Sequence, residues 1–124
     1  MESDALLRRC IAVLEDRKGE DILAFDVRGQ SSLTDYYLFC TGNSTTQLRA
    51  LWHHLDQALT ACGVAVRSVE GTPESQWILV DYNDVLIHIF LREARELYNI
   101  EALLDDAPLC YPEHGERPVR PAAS

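Results

Sequence analysis

The sequence lacks several features that would assign a protein to a class at once. No apolar run approaches the roughly 20 residues that span a bilayer, and the N-terminus has no basic region leading into an apolar stretch and a cleavage site. There are no internal repeats, and no Cys-x-x-Cys pair of the kind that binds zinc or performs redox chemistry. We therefore expect a single cytosolic domain.

Positive charge is also scarce. Lysine and arginine together number 11 against 20 aspartates and glutamates, which gives a formal net charge of −9. Such a surface repels phosphate and anionic lipid, so we expect little direct contact with nucleic acid and none with a membrane. Acidic proteins are attracted to basic surfaces, and the composition therefore favours a basic protein as partner.

Hydrophobic periodicity predicts helices that alternate with strands. Apolar residues at helical spacing predict a first helix over residues 4–18, with Ser3 or Asp4 as its N-cap. A second helix starts at a capping box headed by Ser44, and a third is expected over residues 93–104. Short apolar runs bounded by turn residues predict strands over residues 21–28, 36–41, 65–69, 76–82 and 85–91.

These elements predict one α/β domain over residues 1–106, with a five-stranded mixed sheet flanked by helices. The remaining residues, 107–124, hold four of the five prolines and have no periodicity, so we expect a flexible tail. The cysteines are expected to be reduced, with Cys10, Cys40 and Cys62 packed as small apolar side chains.

Several nucleotide-handling folds share this arrangement, so a nucleotidyltransferase is the enzyme to exclude. That chemistry needs two carboxylates two residues apart on one strand, which hold magnesium against a triphosphate. No Asp-x-Asp lies in any predicted strand: Asp26 stands alone, and Asp81 and Asp84 are three residues apart across a turn and point in different directions. We therefore predict that the chain is not an enzyme and needs no metal or cofactor.

Three weaker motifs have ordinary structural interpretations. Gly42-Asn43-Ser44 resembles a phosphate-binding helix start, but it is also a routine helix cap. The adjacent histidines at positions 53 and 54 diverge by about 100° on a helix and cannot share a metal. Cys40 with His88 as its base is a conceivable nucleophile, yet Cys40 lies in an apolar run where a thiol is inert.

The two strands around Asn83-Asp84 form a predicted hairpin with a two-residue turn. One face of this hairpin is aliphatic apart from a tyrosine. The other face mixes aromatic, aliphatic and polar side chains in three cross-strand pairs: Trp77 with Phe90, Leu79 with His88, and Asp81 with Leu86. Such a mixture suits a protein interface with Trp77 at its centre. The alternative is that a helix covers this face and makes it core.

Several stretches together resemble the Iojap-related ribosomal silencing factors, in both order and spacing. They extend over residues 6–104, and the tryptophan-to-phenylalanine hairpin is the most distinctive. The matching stretches are Asp26 to Tyr37, Cys40-Thr-Gly-Asn-Ser, Val69-Glu-Gly, Trp77 to Phe90, and Arg95-Glu-Leu-Tyr-Asn-Ile-Glu.

The resemblance implies a fold similar to nucleotidyltransferases without their activity. It also implies binding to the large ribosomal subunit through the universal large-subunit ribosomal protein fourteen, which obstructs joining of the small subunit and represses translation when nutrients are short. The partner-binding residues that the hairpin and the resemblance together nominate are Glu70, Trp77, Leu79, Asp81, Tyr82, Leu86, His88 and Phe90.

Two departures from the family pattern put part of this in doubt. Leu104 stands where the family often has tryptophan, and the proline-rich segment from Ala107 has no counterpart in the core motif. A role for the end of the last helix in binding therefore stays open. Two alternatives also stay open: a nucleotide-binding or transferase activity on the same fold, and a homodimer formed through the exposed face when no ribosome is present.

Overall fold

The computed structural model describes residues 1–112, which form a six-stranded mixed sheet with helices on both faces. The chain runs through α1 (Ser3–Asp16), β1 (Glu20–Asp26), β2 (Tyr36–Gly42), α2 (Thr45–Ala61), β3 (Ser68–Thr72), β4 (Trp77–Asp81), β5 (Val85–Leu91), α3 (Arg92–Tyr98) and β6 (Leu109–Tyr111). Two 3-10 helices cover Pro73–Ser75 and Ile100–Leu104. No helix within residues 1–112 is long and apolar enough to cross a membrane.

The strand order across the sheet is β3-β4-β5-β2-β1-β6. Only β2 and β5 pair in parallel, and α2 lies in the crossover that this pairing requires. The β4–β5 hairpin therefore lies between β2 and the edge strand β3.

Helices α1 and α2 pack on one side of the sheet, which we call the helix face. The apolar stripe of α2, which includes Leu51 and Leu55, is fully buried against strand residues such as Val80 and Ile87. Burying each such side chain contributes on the order of 1.5–3 kcal/mol. This face holds the larger of the two apolar cores.

The opposite side of the sheet, which we call the aromatic face, is covered at one end only. Its cover consists of α3 and the second 3-10 helix, residues 92–104, which pack on Phe39 and Phe90. The strand side chains on this face include Leu23, Phe25, Tyr37, Phe39, Thr41, Trp77, Leu79, Asp81, Leu86, His88 and Phe90.

The helix predictions need correction at their ends. The first helix is capped by the backbone of Glu2, without a side-chain bond, and not by Ser3 or Asp4. It ends at Asp16 because Lys18 adopts a positive φ of 67° and the Gly19 amide bonds back to the carbonyl of Leu14. Glycine is needed there, since a Cβ would lie 2.4 Å from the Cys40 sulfur.

The predicted last helix, residues 93–104, is also two elements instead of one. Asn99 adopts a left-handed conformation with a φ of 44° and separates α3 from the 3-10 helix. Asparagine tolerates that conformation better than most residues because its short polar side chain bonds locally. The break turns the chain back across the aromatic face.

The strand predictions differ in two places. The third strand covers Ser68–Thr72 and not residues 65–69, so only Ser68 and Val69 of the predicted strand belong to it. A sixth strand, Leu109–Tyr111, pairs with β1 inside the segment that the sequence predicted as tail, and Ala107 is buried. The sheet therefore has six strands and not five; the rest of the expected tail, residues 113–124, lies outside the described residues. Cys62, predicted to be packed, is exposed.

Candidate partner-binding face

The β4–β5 hairpin has the register that the sequence predicts. Trp77 lies opposite Phe90, Leu79 opposite His88 and Asp81 opposite Leu86. At the turn, Asn83 takes a φ of 76° and donates its N–H to Asp81 Oδ1 at 2.7 Å. The predicted turn and the predicted pairing are both confirmed.

Exposure changes along the aromatic face. Phe90 is fully buried beneath the cover, and His88 is 5% exposed. Trp77, Leu79 and Leu86 are half-buried, so their outer surfaces meet solvent. The cover therefore closes the Phe90 end of the face and leaves the end nearest the hairpin turn open. The alternative that a helix makes this face core is confirmed for the Phe90 end, and the interface stays a prediction for the open end.

The structure places the nominated residues in three different environments. Trp77, Leu79, Asp81, Leu86 and His88 share the aromatic face, and Phe90 is sealed at its covered end. Glu70 is exposed on the edge strand β3 and pairs with Leu79, so it lies on the same face, at its edge. These positions fit one surface with an apolar centre and an acidic side.

Tyr82 is separated from that surface. Its side chain is 3% exposed and lies in the core of the helix face, and its hydroxyl has no hydrogen-bond partner within residues 1–112. Burial raises the pKa of this hydroxyl. Tyr82 supports the hairpin from behind and offers no area to a partner in this structure.

Trp77 is fixed by three neighbouring rings. Its indole N–H donates to His88 Nδ1 at 3.1 Å. The Tyr98 ring lies 4.7 Å from the Trp77 ring, centre to centre, and the Phe90 ring 5.9 Å. Aromatic pairs at such separations add to the stability gained from burial, so the indole is held in one orientation.

His88 forms the base of this cluster. Its ring stacks on Phe39 with centres 5.0 Å apart and planes 13° from parallel. Burial lowers the pKa of His88 to about 4, while the nearby Glu101 raises it and Arg95 lowers it further. The imidazole is therefore neutral at pH 7, and since Nδ1 accepts the indole hydrogen bond, Nε2 carries the proton.

A buried ion pair fastens the cover to the sheet. Arg95 of α3 donates to Glu101 Oε1 at 2.7 Å, and to the Thr41 hydroxyl and the Asp21 carbonyl at the same distance. Its guanidinium also lies 5.6 Å from the centre of the Phe90 ring. The pair joins both helices of the cover to β1, β2 and β5.

Sequence reasoning named neither Arg95 nor Glu101 as functional, and it did not nominate Tyr37 or Tyr98. The stretch Arg95-Glu-Leu-Tyr-Asn-Ile-Glu contains Arg95, Tyr98 and Glu101, but in the sequence it supports only the family resemblance. Two opposite charges among apolar residues on a predicted core helix suggest a buried pair, because an unpaired buried charge is costly.

The candidate catalytic groups do not form a reactive site. Cys40 lies opposite Ile89 and points to the helix face, whereas His88 belongs to the aromatic face. Burial raises the pKa of Cys40 to about 12, which keeps the thiol protonated. Asp26 is bound by Arg28 at 2.7 Å, and residues 1–112 contain no group of three or more His, Cys, Asp or Glu placed to hold a metal.

The start of α2 is occupied by its own side chains. Ser44 Oγ accepts from the Gln47 N–H at 3.0 Å, and Gln47 Oε1 accepts from the Asn43 N–H at 2.6 Å. The Ser44 half of the predicted capping box is thus confirmed, but the Gln47 side chain accepts from the N–H of Asn43 and not from that of Ser44. The cap interpretation of Gly42-Asn43-Ser44 accounts for this helix start.

A half-open aromatic face on a small mixed α/β domain offers the aromatic and apolar area that protein interfaces commonly use. Residues 1–124 match the protein-family model described as ribosomal silencing factor during starvation, RsfS. The chain therefore belongs to the family of ribosomal silencing factors.

Individual relatives agree with this assignment. The ribosomal silencing factor RsfS of Bacillus subtilis is 39% identical over 109 residues, which cover 88% of this chain and 92% of that protein. A crystal structure of a Chromobacterium violaceum protein superimposes with a TM-score of 0.81 at 34% identity, covering 96% of this chain and 92% of the other. The mixed α/β fold is therefore shared with an experimental structure.

Two eukaryotic relatives are more distant. The mouse protein named mitochondrial assembly of ribosomal large subunit protein 1 is 30% identical over 96 residues, 75% of this chain and 42% of its own length. The chloroplastic protein Iojap of maize is 31% identical over 90 residues, 73% of this chain and 39% of its own length. The predicted resemblance to Iojap-related silencing factors is confirmed.

Proposed function

We propose that this chain binds the large ribosomal subunit in the cytosol through the universal large-subunit ribosomal protein fourteen. Bound there, it obstructs association with the small subunit and represses translation when nutrients are limiting. Family membership supports a ribosomal role, and the name of the mouse relative points to the large subunit. The observation that carries the site is Trp77, which is half-buried where the cover meets the open part of the aromatic face and is fixed there by His88 and Tyr98.

The chemistry of the face fits a basic partner. Trp77, Leu79 and Leu86 supply apolar area that a partner can desolvate. Asp81 and Glu70 lie at its side, where carboxylates attract basic residues and set the register of docking. The binding energy is expected to come mainly from the tryptophan, because hot spots are usually central, well-packed aromatic residues.

The proposed mechanism is steric. A bound domain that occupies part of the surface used by the small subunit prevents joining without any chemical step. Affinity and position therefore decide the effect, and the buried, protonated Cys40 and the paired Asp26 need no catalytic role.

Sedimentation with purified ribosomal subunits tests this proposal. The wild type should migrate with the large subunit and reduce the amount of joined ribosomes. Trp77→Ala should weaken binding by at least about 30-fold, as expected for loss of a hot spot. The matched control is Trp52→Ala, because Trp52 lies on α2 at the helix face and should leave binding unchanged in folded protein.

The two parts of the proposal can fail separately. If the wild type does not migrate with the large subunit, the ribosomal function is wrong. If the wild type binds and folded Trp77→Ala binds equally well, the function stands and the site lies elsewhere. Binding to the isolated ribosomal protein would then identify the partner directly.

We further propose that the chain has no enzymatic activity and that free copies pair through the aromatic face. Titration with nucleoside triphosphates and magnesium should give no saturable binding below the millimolar range; saturation there would contradict the first statement. Sedimentation equilibrium should show a dimer that Trp77→Ala converts to monomer, whereas a wild type that stays monomeric over a wide concentration range would contradict the second.

A further inference from the structure

The hydrogen bond between Trp77 and His88 suggests that these two residues have different roles in the aromatic face. We infer that His88 is a positioning residue: it holds the Trp77 indole in the orientation that a partner meets, and makes little contact with the partner itself. This inference rests on the proposed function and deepens it, because it predicts which kind of group the partner presents to Trp77.

Exposure separates the two residues. His88 is 5% exposed, which leaves almost no area for a partner, whereas Trp77 is half-buried. The indole N–H lies 3.1 Å from His88 Nδ1, a normal hydrogen-bond length. A partly exposed ring is thus tied to a buried polar group.

His88 is itself held firmly. It lies in the middle of β5, which pairs with β2 on one side and β4 on the other. Its ring stacks on Phe39 at 5.0 Å and lies 6.0 Å from the Tyr37 ring. A side chain packed firmly on an inner strand can hold a neighbouring side chain on the next strand in one orientation.

The imidazole must be neutral at Nδ1 to accept this bond. Burial is the largest effect on the His88 pKa, which it lowers to about 4. The charged groups near His88 are Arg95 and Glu101 of the cover, which act in opposite directions and are bonded to each other. Tyr37 is the titratable group that approaches from β2. The acceptor is therefore available throughout the physiological pH range.

The satisfied N–H restricts what a partner can offer. One side of the indole is against Tyr98, with ring centres 4.7 Å apart, and its only polar hydrogen is already bonded. The remaining surface of Trp77 is apolar ring. A partner is therefore expected to place an aliphatic side chain or an arginine or lysine against this ring, and not a hydrogen-bond acceptor.

Two substitutions at His88 separate positioning from packing. His88→Phe keeps a planar ring but removes the acceptor, and His88→Asn keeps an acceptor near the position of Nδ1. Both are made in a Trp52→Phe background, in which Trp77 is the only tryptophan of the chain. The readouts are solvent exchange of the indole N–H by NMR and affinity for the purified large subunit.

In His88→Phe the indole N–H should exchange about tenfold faster, and affinity should fall about three- to tenfold, the range of one lost hydrogen bond. His88→Asn should restore most of both. Unchanged exchange or unchanged affinity in folded His88→Phe would overturn the inference. The exchange measurement needs no ribosome, so failure of the wild type to bind the large subunit is recognised separately as failure of the proposed function.

Discussion

The two faces of this sheet are built from the same strands and yet differ in how they are closed. On the helix face, Ile78, Val80, Ile87 and Ile89 are 0–1% exposed under helices of 14 and 17 residues. On the aromatic face, a helix of seven residues and a 3-10 helix of five cover one end only. The open surface therefore results from the short cover, which leaves apolar side chains such as Leu79 and Leu86 partly exposed beside Asp81.

The largest expected effect concerns the ion pair that holds the cover. Arg95→Ala removes two buried hydrogen bonds, to Glu101 and Thr41, and a partly buried one to Asp21, and should lower the free energy of unfolding by about 3–5 kcal/mol. Urea unfolding measures this. Arg92→Ala is the control, because its ion pair with Asp21 is half exposed and should contribute about 1 kcal/mol or less. Equal losses in the two variants would show that the buried pair does not fasten the cover.

Neighbouring residues on β5 give the sharpest comparison between the faces. Ile87 is fully buried on the helix face, and Ile87→Ala should cost about 2–4 kcal/mol of unfolding free energy with little effect on partner binding. Leu86 is half-buried on the aromatic face, so Leu86→Ala should cost about 1 kcal/mol and mainly weaken binding. The reverse pattern, measured by urea unfolding and sedimentation, would mean that the open face has been assigned to the wrong side.

The pH dependence of stability should report on His88. In the unfolded chain the imidazole takes up a proton below about pH 6.5, whereas burial keeps it neutral in the fold down to about pH 4. The contribution of neutral His88 to the free energy of unfolding is therefore fully present above pH 6.5. It is lost as the pH falls towards 4, and the loss is roughly 3 kcal/mol at most. Urea unfolding at pH 7 and 4.5 should show a smaller loss for His88→Phe. Identical losses in variant and wild type would contradict this.

The smallest expected effect is at the side of the aromatic face. Glu70 is exposed, so Glu70→Gln should leave stability unchanged. If the proposed function is right, the variant should associate with the large subunit a few-fold more slowly at low salt, and the difference should vanish at high salt. Stopped-flow or surface binding kinetics at two salt concentrations can measure it. A faster dissociation rate with unchanged association would not fit a steering charge.

Local patterns predicted the elements whose geometry is set locally. The hairpin register follows from a two-residue turn and strict alternation, and the turn residue Asn83 accepts the positive φ that this turn needs. The long apolar stripe of α2 likewise specifies a helix by itself. In both cases each residue's role depends on neighbours a few positions away.

Elements decided by distant contacts were not predictable in the same way. The three residues of β6 form a strand only because β1 offers an unpaired edge, and no alternation can be read in so short a segment. The division of the last helix depends on one residue, Asn99, in a left-handed conformation. The sequence also left open which face the helices cover, and Tyr82 was nominated for a surface from which it points away.

The pairing of β6 with β1 also affects how the domain is made. β1 is the first strand to be synthesised and β6 the last of those described, so the outer edge of β1 stays open until residues 109–111 have emerged. An open edge presents unpaired N–H and C=O groups and can pair with another chain. Formation of β6 therefore ends the period in which the outer edge of β1 can pair with another nascent copy.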